Sequence, residues 1–308
     1  MNLFEAIIQG IIQGITEFLP ISSSGHLSLA QHVLGTEMGG GVSNLFFTVM
    51  LHLGTLAAVC FVYYKLIWRL IRELFFMISD LFRGQFRWKE MSQDRRMVMM
   101  LILGLLPLFL FFLPVPGTGM KVKDFFATWA SDKDIMIEAF CFLVTGVLLL
   151  AAHRLSLRAD QKELDLKKNL TVGDALFVGF TQGIAGMPGI SRSGFTLSAG
   201  IVRGLDRQTA LDYSFILGIP TILAANILEI KDAVEVGAKF EILPIIVSVI
   251  FSAVVGFFAI KLLKLLVTKN RLNIFGYYCL ALGVVVLIVS IVEYARGINL
   301  FTGTPIAG

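Results

Sequence analysis

The sequence predicts an all-α protein that crosses a membrane several times. Hydrophobic residues make up 56% of the 308 residues, charged residues only 16%, and the mean hydropathy is +0.80. Soluble domains usually contain about 25% charged residues, so this composition excludes an ordinary soluble enzyme and a disordered chain. Long apolar stretches and two interrupted apolar segments complete the prediction of six transmembrane helices plus two re-entrant helix-loop-helix segments.

Each of the six long stretches has the roughly 17–25 residues that a helix needs to cross the hydrocarbon core. They cover residues 45–66, 97–113, 135–153, 210–230, 241–266 and 273–294. The two interrupted segments, 2–35 and 172–204, contain Gly, Pro and a run of Ser. We expect them to be re-entrant, because irregular backbone at membrane depth is tolerated only where protein or a wet cavity shields it.

An internal repeat relates the two interrupted segments. A shift of 169 residues places 13–15 on 182–184 and 21–25 on 190–194, with ten identities in 25 positions. We therefore interpret 1–308 as a single membrane domain with a first repeat (1–153), a linker (154–170) and a second repeat (171–308). Because three spans follow each segment, an odd number, the second copy is expected to enter from the opposite face, and the two loops to meet near the midplane.

The distribution of basic residues predicts the orientation. Lys and Arg are concentrated in 67–96, 154–170 and 261–271, and loops rich in these residues usually stay in the cytoplasm. The linker is then cytoplasmic and both termini lie outside. This spacing also explains the net charge of +4 and the pI of about 9.0 without nucleic acid as a partner. The three cysteines, which lie singly in apolar stretches, are interpreted as buried hydrophobic residues.

Two polar loops carry the candidate chemistry. Gln13 and Glu17 are four residues apart, so they face the same side of a helix. Ser22 to Ser24 are expected to cap the helix that starts near His26, and Ser191 and Ser193 the helix that starts near Phe195. Two helix N-termini, several hydroxyls and the Arg192 guanidinium would together form an anion site.

Glu17 and Arg192 are the most informative residues, because a charge at mid-bilayer costs about 2.5–3.5 kcal/mol and usually marks function. The structural alternative is a buried ion pair that joins the two repeats. In an anion site, Glu17 would need a divalent cation beside it or would act as a proton acceptor. The remaining histidines have no charged constellation in the sequence and are interpreted as structural: His32, His52 and His153.

The two loops resemble the signatures of the undecaprenyl-diphosphatase family, also called the bacitracin-resistance family. Its first motif is Glu/Gln-x-x-x-Glu followed by Pro-x-Ser-Ser-x-Gly-His, matched here by residues 13–17 and 20–26. Its second motif is Pro-Gly-x-Ser-Arg-Ser-x-x-Thr, matched by residues 188–196. The likeness covers essentially the whole chain. Gln13 is the amide option where many members carry a first Glu, which places more weight on Glu17.

The resemblance implies hydrolysis of undecaprenyl diphosphate to undecaprenyl phosphate, the lipid carrier for peptidoglycan synthesis. It also implies a multi-pass protein of the bacterial inner membrane whose site opens to the outer face. A divalent cation, Mg²⁺ or Ca²⁺, is the implied cofactor. Resistance to bacitracin would follow because that antibiotic competes for the diphosphate. The sequence leaves a homodimer open.

These expectations give the candidate residues their roles. Arg192 would neutralise phosphate oxygens, and Glu17 with Gln13 would hold the cation or orient the nucleophile, which is either Ser23 or water. His26 is the candidate general acid or base. Further candidates for substrate binding are Ser22, Ser24, Ser191, Ser193 and Thr196 together with Gln13. The alternatives are a lipid-phosphate transporter or flippase built on the same inverted repeat, and a structural membrane partner without chemistry.

Overall fold

A computed structural model describes residues 3–35, 42–87, 91–122, 135–187, 189–235 and 241–306, with only the backbone described for 42–45, 229 and 232–235. The regular structure of these ranges is helical. The α-helices are α1 (Leu3–Thr16), α2 (Ser23–Leu34), α3 (Val42–Val62), α4 (Tyr64–Phe82), α5 (Gln93–Leu105, extended by a 3₁₀ helix Leu106–Phe112), α6 (Met136–Gln161), α7 (Val172–Ile184), α8 (Arg192–Val202), α9 (Arg207–Glu235), α10 (Ile242–Thr268) and α11 (Asn273–Arg296).

Five of the six predicted spans coincide with helices that are long and apolar enough to cross a membrane. Within the described residues these are Gln93–Phe112, Met136–Gln161, Arg207–Leu228, Ile242–Thr268 and Asn273–Arg296. Their apolar surfaces face outward as well as inward, with only 22–50% of the most apolar window of each helix buried inside the protein. A helix that is apolar all round is typical of a membrane span. The predicted class, an all-α polytopic membrane protein, is confirmed.

The first predicted span, 45–66, is too long at its C-terminal end. Helix α3 ends at Val62, and the chain bends by 85° into α4. Tyr63 lies at this bend, where its hydroxyl donates a hydrogen bond to Asp212 Oδ1 at 2.7 Å. Most of the basic segment 67–96 is therefore helical rather than a loop. Helix α5 then begins at Gln93, because the Ser92 hydroxyl caps it by accepting a hydrogen bond from the Arg95 amide.

Helix α6 extends eight residues beyond the predicted end at 153, to Gln161, and so includes half of the predicted linker. Two features hold this extension. Ser156 and Ala159 are buried, and Arg207 donates hydrogen bonds to Ser156 at 3.1 Å and to Asp160 at 2.8 Å. The loop between α6 and α7 thus spans only 162–171.

The two interrupted segments form matching pairs of short helices. Helices α1 and α7 begin at residues 3 and 172, and α2 and α8 begin at residues 23 and 192, which is the offset of 169 in both cases. Their packing partners also correspond: α1 and α3 both contact α10, and α7 and α9 both contact α5. The opposite insertion of the two copies stays a prediction.

Close backbone contacts fix the short helices against the long ones. A Cβ atom on Gly10 would lie 2.6 Å from the Ser248 carbonyl oxygen, and one on Gly179 would lie 2.0 Å from the Gly104 carbonyl oxygen. Such contacts are the usual way in which small residues bring helices together in a membrane. They hold the ends of α1 and α7, and hence both polar loops, in the interior of the bundle.

Candidate active site

The two polar loops contact each other directly. Ser22 caps α2, and Ser191 caps α8, each by accepting a hydrogen bond from the backbone amide three residues later. Both helices therefore begin three residues earlier than predicted, at Ser23 and Arg192. Across the loops, the Gly189 amide donates to Ser24 Oγ at 3.0 Å, and Ser193 Oγ donates to the Leu19 carbonyl at 3.2 Å.

The Glu17 carboxylate is the centre of this contact. It is 7% exposed, and Arg192 Nη2 donates to its Oε1 atom at 2.7 Å. Its Oε2 atom accepts hydrogen bonds from Ser23 Oγ at 2.7 Å and from Gln13 Nε2 at 2.9 Å. A buried charge is tolerable when it is paired and hydrogen-bonded. The predicted meeting of Glu17, Ser23 and Arg192 is thus present in the structure.

These residues surround a cavity of about 210 Å³. Its polar wall consists of side chains from both loops, and its other wall comes from α3 and the central part of α9. The lining residues are Glu17, Ser22, Ser23, Ser24, His52, Ala185, Ile190, Ser191, Arg192, Thr221, Ile222, Ala225 and Asn226. A cavity with a few convergent polar groups is the usual form of a small-molecule site.

Three of the predicted site residues stand behind the cavity rather than on its wall. Gln13 is fully buried and reaches the site only through Glu17. Ser193 bonds to the backbone of the first loop. Thr196 donates to the Arg192 carbonyl at 2.9 Å and so lies one helical turn beyond the guanidinium. These residues position the cavity wall, whereas Ser22, Ser24 and Ser191 belong to it.

His26 is not brought to the cavity. Its Nδ1 atom donates to the Ser22 carbonyl at 2.7 Å, and its Nε2 atom lies 2.7 Å from the Tyr278 hydroxyl. The ring also stacks on Tyr278 and meets Phe142 edge-on. Because α2 begins at Ser23, position 26 lies on the side of the helix that faces α6 and α11. The geometry therefore does not support His26 as the general acid or base.

His52, interpreted from the sequence as structural, lines the cavity instead. Its Nδ1 atom donates to the Thr48 carbonyl at 2.8 Å, and its Nε2 atom lies 3.6 Å from Glu17 Oε2. The expectation that His52 has no charged neighbour was wrong, because its partner carboxylate is 35 positions away in the sequence and on another helix. The repeat contained a usable signal: the offset of 169 places His52 on Thr221, which also lines the cavity.

Asn226 is the second residue that the sequence analysis missed. Its side chain is 3% exposed, it lines the cavity, and its Nδ2 atom has no hydrogen-bond partner among the described residues. Nearby, Gln182 donates to Thr221 Oγ1 at 3.0 Å. A buried donor without a partner costs free energy, so Asn226 is suited to a ligand that accepts hydrogen bonds.

Gly218 provides the space that Arg192 occupies. A Cβ atom at this position of α9 would lie 2.0 Å from Arg192 Nη1. The guanidinium therefore rests directly on the backbone of a long helix while it pairs with Glu17. Glycine is required at 218 for this placement of the charge.

The oxygen atoms at the site fit a divalent cation whose coordination shell is completed by the substrate. They do not fit a cation that is coordinated by protein side chains alone. Among the described residues, no three His, Cys, Asp or Glu side chains form a cluster. Gln13 Oε1 is buried without a hydrogen-bond partner, on the side chain whose amide group bonds to Glu17. Mg²⁺ is commonly bound by one or two carboxylates together with substrate phosphates. Glu17 has an oxygen ligand of this type on the cavity wall, and Gln13 holds that carboxylate from behind.

Comparison with known proteins identifies the family of the chain. The family model for bacitracin resistance protein BacA matches residues 6–285. The chain belongs to the BacA family. It is 37% identical to the undecaprenyl-diphosphatase of Alkaliphilus metalliredigens over 94% of this chain and 100% of that protein. It is 38% identical to the undecaprenyl-diphosphatase of Methanobrevibacter smithii over 94% of this chain and 99% of that protein.

A third relative extends the same result. The undecaprenyl-diphosphatase of Treponema denticola is 37% identical over 92% of this chain and 96% of its own length. The resemblance predicted from the two motifs is confirmed, although Pro188 of the second motif lies outside the described residues. Membership of the BacA family favours the phosphatase over the transporter, and over a structural partner without chemistry.

Proposed function

We propose that this chain is an undecaprenyl-diphosphate phosphatase that releases the terminal phosphate and returns the lipid monophosphate to cell-wall synthesis. The observation that carries the proposal is the hydrogen-bonded unit of Ser23, Glu17 and Arg192 on the wall of a cavity that both polar loops share. A hydroxyl, a base and a guanidinium are the groups that phosphoryl transfer to a serine requires.

Binding of the diphosphate relies on groups that are oriented before substrate arrives. Helices α2 and α8 direct their N-termini towards the two loops, where backbone amides and the helix dipole favour an anion. Arg192 supplies a planar pair of donors for phosphate oxygens, and Asn226 Nδ2 supplies a further donor without a protein partner. The phosphate then replaces Glu17 as a partner of the guanidinium.

Ser23 is the proposed nucleophile and Glu17 its base. Their oxygen atoms are 2.7 Å apart, a distance at which the carboxylate can accept the hydroxyl proton. Ser23 Oγ attacks the terminal phosphorus, the bond to the bridging oxygen breaks, and undecaprenyl phosphate leaves. Water then cleaves the phosphoserine and releases inorganic phosphate. Attack by water alone remains the alternative, and the trapping experiment below separates the two routes.

His52 is the proposed proton carrier. Because Nδ1 donates to the Thr48 carbonyl, only Nε2 is available to exchange a proton with the site. That atom points at Glu17 from 3.6 Å, so it can receive the proton that the carboxylate takes from Ser23. The bound proton can then return to the leaving oxygen or to the product.

A divalent cation, Mg²⁺ or Ca²⁺, is proposed as the cofactor and would neutralise phosphate charge as it develops. Glu17 would hold it together with the substrate, and Gln13 would position the Glu17 carboxylate from behind the cavity wall. Among the described residues that line the cavity, Glu17 is the one carboxylate, while the substrate brings several negative oxygens that need neutralising. The cation therefore supports binding, and the protein groups carry the proton and the phosphoryl group.

The polyprenyl tail of the substrate belongs in lipid, so the cavity has to be reached from within the bilayer. We place the protein in the bacterial inner membrane, with the cavity accessible from the outer face, because the family resemblance implies both. The Lys and Arg distribution supports a position of both termini outside. Removal of the diphosphate that bacitracin binds would provide resistance to that antibiotic.

The test is phosphate release from undecaprenyl diphosphate by the purified full-length chain in detergent. We expect Arg192→Lys to lower kcat/KM by about 10³–10⁵, because a single ammonium loses the bidentate geometry. The matched control is Arg203→Lys, since Arg203 pairs with Asp174 away from the cavity and lysine keeps that charge. Absence of phosphate release from the wild type would refute the phosphatase and leave the transporter.

The nucleophile is tested by rapid acid quenching with substrate labelled in the terminal phosphate. Label should remain on the wild-type protein and on Ser28→Ala, whose hydroxyl contacts Glu138 outside the cavity. Ser23→Ala should retain none and lose turnover. Normal turnover of Ser23→Ala would eliminate the serine route and favour attack by water.

A further inference from the structure

Helix α4 has three distinct faces, although it lies outside the cavity and takes no part in the chemistry. One face packs against the bundle through buried Leu70 and Met77. At the edge of that face, Arg95 of α5 bonds to Glu73 at 3.3 Å and to Asp80 at 2.7 Å. These contacts fix the rotation of α4 about its axis, so the directions of the other two faces are determined.

The second face is a continuous stripe of exposed aromatic and branched residues. Its members recur at intervals of three and four positions, which is the spacing of a single helix face. Their side chains are 41–87% exposed. The stripe consists of Tyr64, Trp68, Ile71, Phe75, Ile78 and Phe82.

The third face, directly beside the stripe, is basic. Lys65, Arg69 and Arg72 are one position C-terminal to three of the stripe residues, and Arg83 follows Phe82. All four are exposed. Arg69 is engaged in an ion pair with Asp94 at 3.2 Å, while the acidic residues of α4 itself point towards Arg95. The exposed charge of α4 is therefore positive in its N-terminal half, and Arg83, which follows the helix directly, adds a further positive charge at its C-terminal end.

The direction of α4 relative to the spanning helices is consistent with one apolar and one basic face. Helix α3 packs against α9 and α10, both of which are long enough to span a membrane. The 85° bend after Val62 turns α4 away from that direction. Since α3 lies beside two helices that are long enough to span, this bend would direct α4 roughly parallel to the membrane plane.

We propose that α4 is an interfacial helix that binds the anionic phospholipids of the leaflet next to it. The aromatic stripe would lie at the boundary between headgroups and acyl chains, and the basic face would contact the headgroup phosphates. Trp and Tyr favour this boundary, and helices with one apolar and one Lys/Arg-rich face bind anionic surfaces. The site is separate from the diphosphate cavity, so it stands whether or not the proposed phosphatase mechanism holds.

The position of the stripe is tested by fluorescence of the full-length protein in nanodiscs. Trp88→Phe and Trp129→Phe leave Trp68 as the only tryptophan of the three. We expect lipids that are brominated high on the acyl chain to quench Trp68 more strongly than lipids brominated at the chain end. Unquenched emission typical of water would overturn the proposal, and so would strongest quenching by chain-end bromines.

The headgroup preference is tested with spin-labelled phosphatidylglycerol and phosphatidylcholine. The preference is measured as the ratio of phosphatidylglycerol to phosphatidylcholine bound to the protein. In the double variant Arg72→Gln/Arg83→Gln this ratio should fall by a factor of about five for each charge removed. Lys121→Gln/Arg296→Gln removes the same number of exposed charges elsewhere and should keep the wild-type preference. Equal preference in wild type and the α4 variant would overturn the assignment of anionic lipid as the partner.

Discussion

Gly218→Ala is expected to separate folding from catalysis. The new Cβ atom would lie 2.0 Å from Arg192 Nη1, whereas ordinary contact begins at 3.4 Å, so the guanidinium has to retreat by about 1.4 Å. The end of an arginine side chain can move at little cost, and alanine is favoured over glycine in a helix by up to about 1 kcal/mol. Thermal stability should therefore be kept. A displacement of about 1 Å at a reacting group can lower the rate by about 10², and we expect kcat/KM to fall by at least that factor.

The assay is phosphate release by purified protein, paired with thermal unfolding followed by a dye that reports exposure of the buried Cys141 and Cys279. Gly256→Ala is the matched control, because a Cβ atom there meets its nearest neighbour at 3.4 Å. It should leave both readouts unchanged. If Gly218→Ala keeps wild-type activity, Arg192 does not act from the position described here. If it loses activity only together with stability, the argument from the guanidinium fails as well.

Three further substitutions test the groups around the cavity. Asn226→Leu should lower kcat/KM by about tenfold to a hundredfold, because it removes one hydrogen bond to a charged group of the substrate. Asn226→Asp should lower kcat/KM further, because it adds a negative charge next to the phosphate. Since Asp has the shape of Asn, a milder effect of Asn226→Asp would indicate a purely structural role. After resident metal has been removed with a chelator, Gln13→Glu should reach half-maximal activity at a lower concentration of added Mg²⁺ than the wild type. An unchanged Mg²⁺ titration would show that Gln13 has no influence on the cation. His52→Gln should reduce kcat by about 10²–10⁴ with little change in KM, because it removes the proton carrier. His153→Gln is the control outside the cavity and should keep the wild-type kcat. Normal turnover of His52→Gln would exclude proton transfer by His52.

Much of the fold could be predicted from the sequence because a membrane leaves few choices. Long apolar stretches have to become helices, so five spans were placed to within several residues of the structure. The errors occur where the chain reaches polar surroundings. Helix α6 runs on to Gln161 because Arg207 provides partners for its last turns. Helix α4 was predicted as part of a basic loop because its apolar residues are spaced for one face rather than for a span.

The part of the site that lies in the two motifs and in the internal repeat could be predicted from the sequence. Glu17, Ser23 and Arg192 were found because a buried charge next to hydroxyls is unusual, and the structure joins them. His52 and Asn226 were missed because they lie on long spans without a motif, where only tertiary packing shows that they face the cavity. For His26, the position in the motif suggested chemistry, whereas the start of α2 at Ser23 turns the ring towards Tyr278.

The 175 residues between Glu17 and Arg192 also matter while the protein is being made. At about 5–20 residues per second, a ribosome needs roughly 9–35 s to add that length of chain. During this interval the acidic half of the pair has been synthesised and its basic partner has not. Full insertion of the first hairpin would leave the Glu17 carboxylate in hydrocarbon without its cationic partner, with only Ser23 and Gln13 of the same hairpin as donors. The nascent chain is therefore expected to hold α1 and α2 close to the membrane surface or to the insertion machinery. The buried pair therefore couples the final depth of the first hairpin to completion of the second.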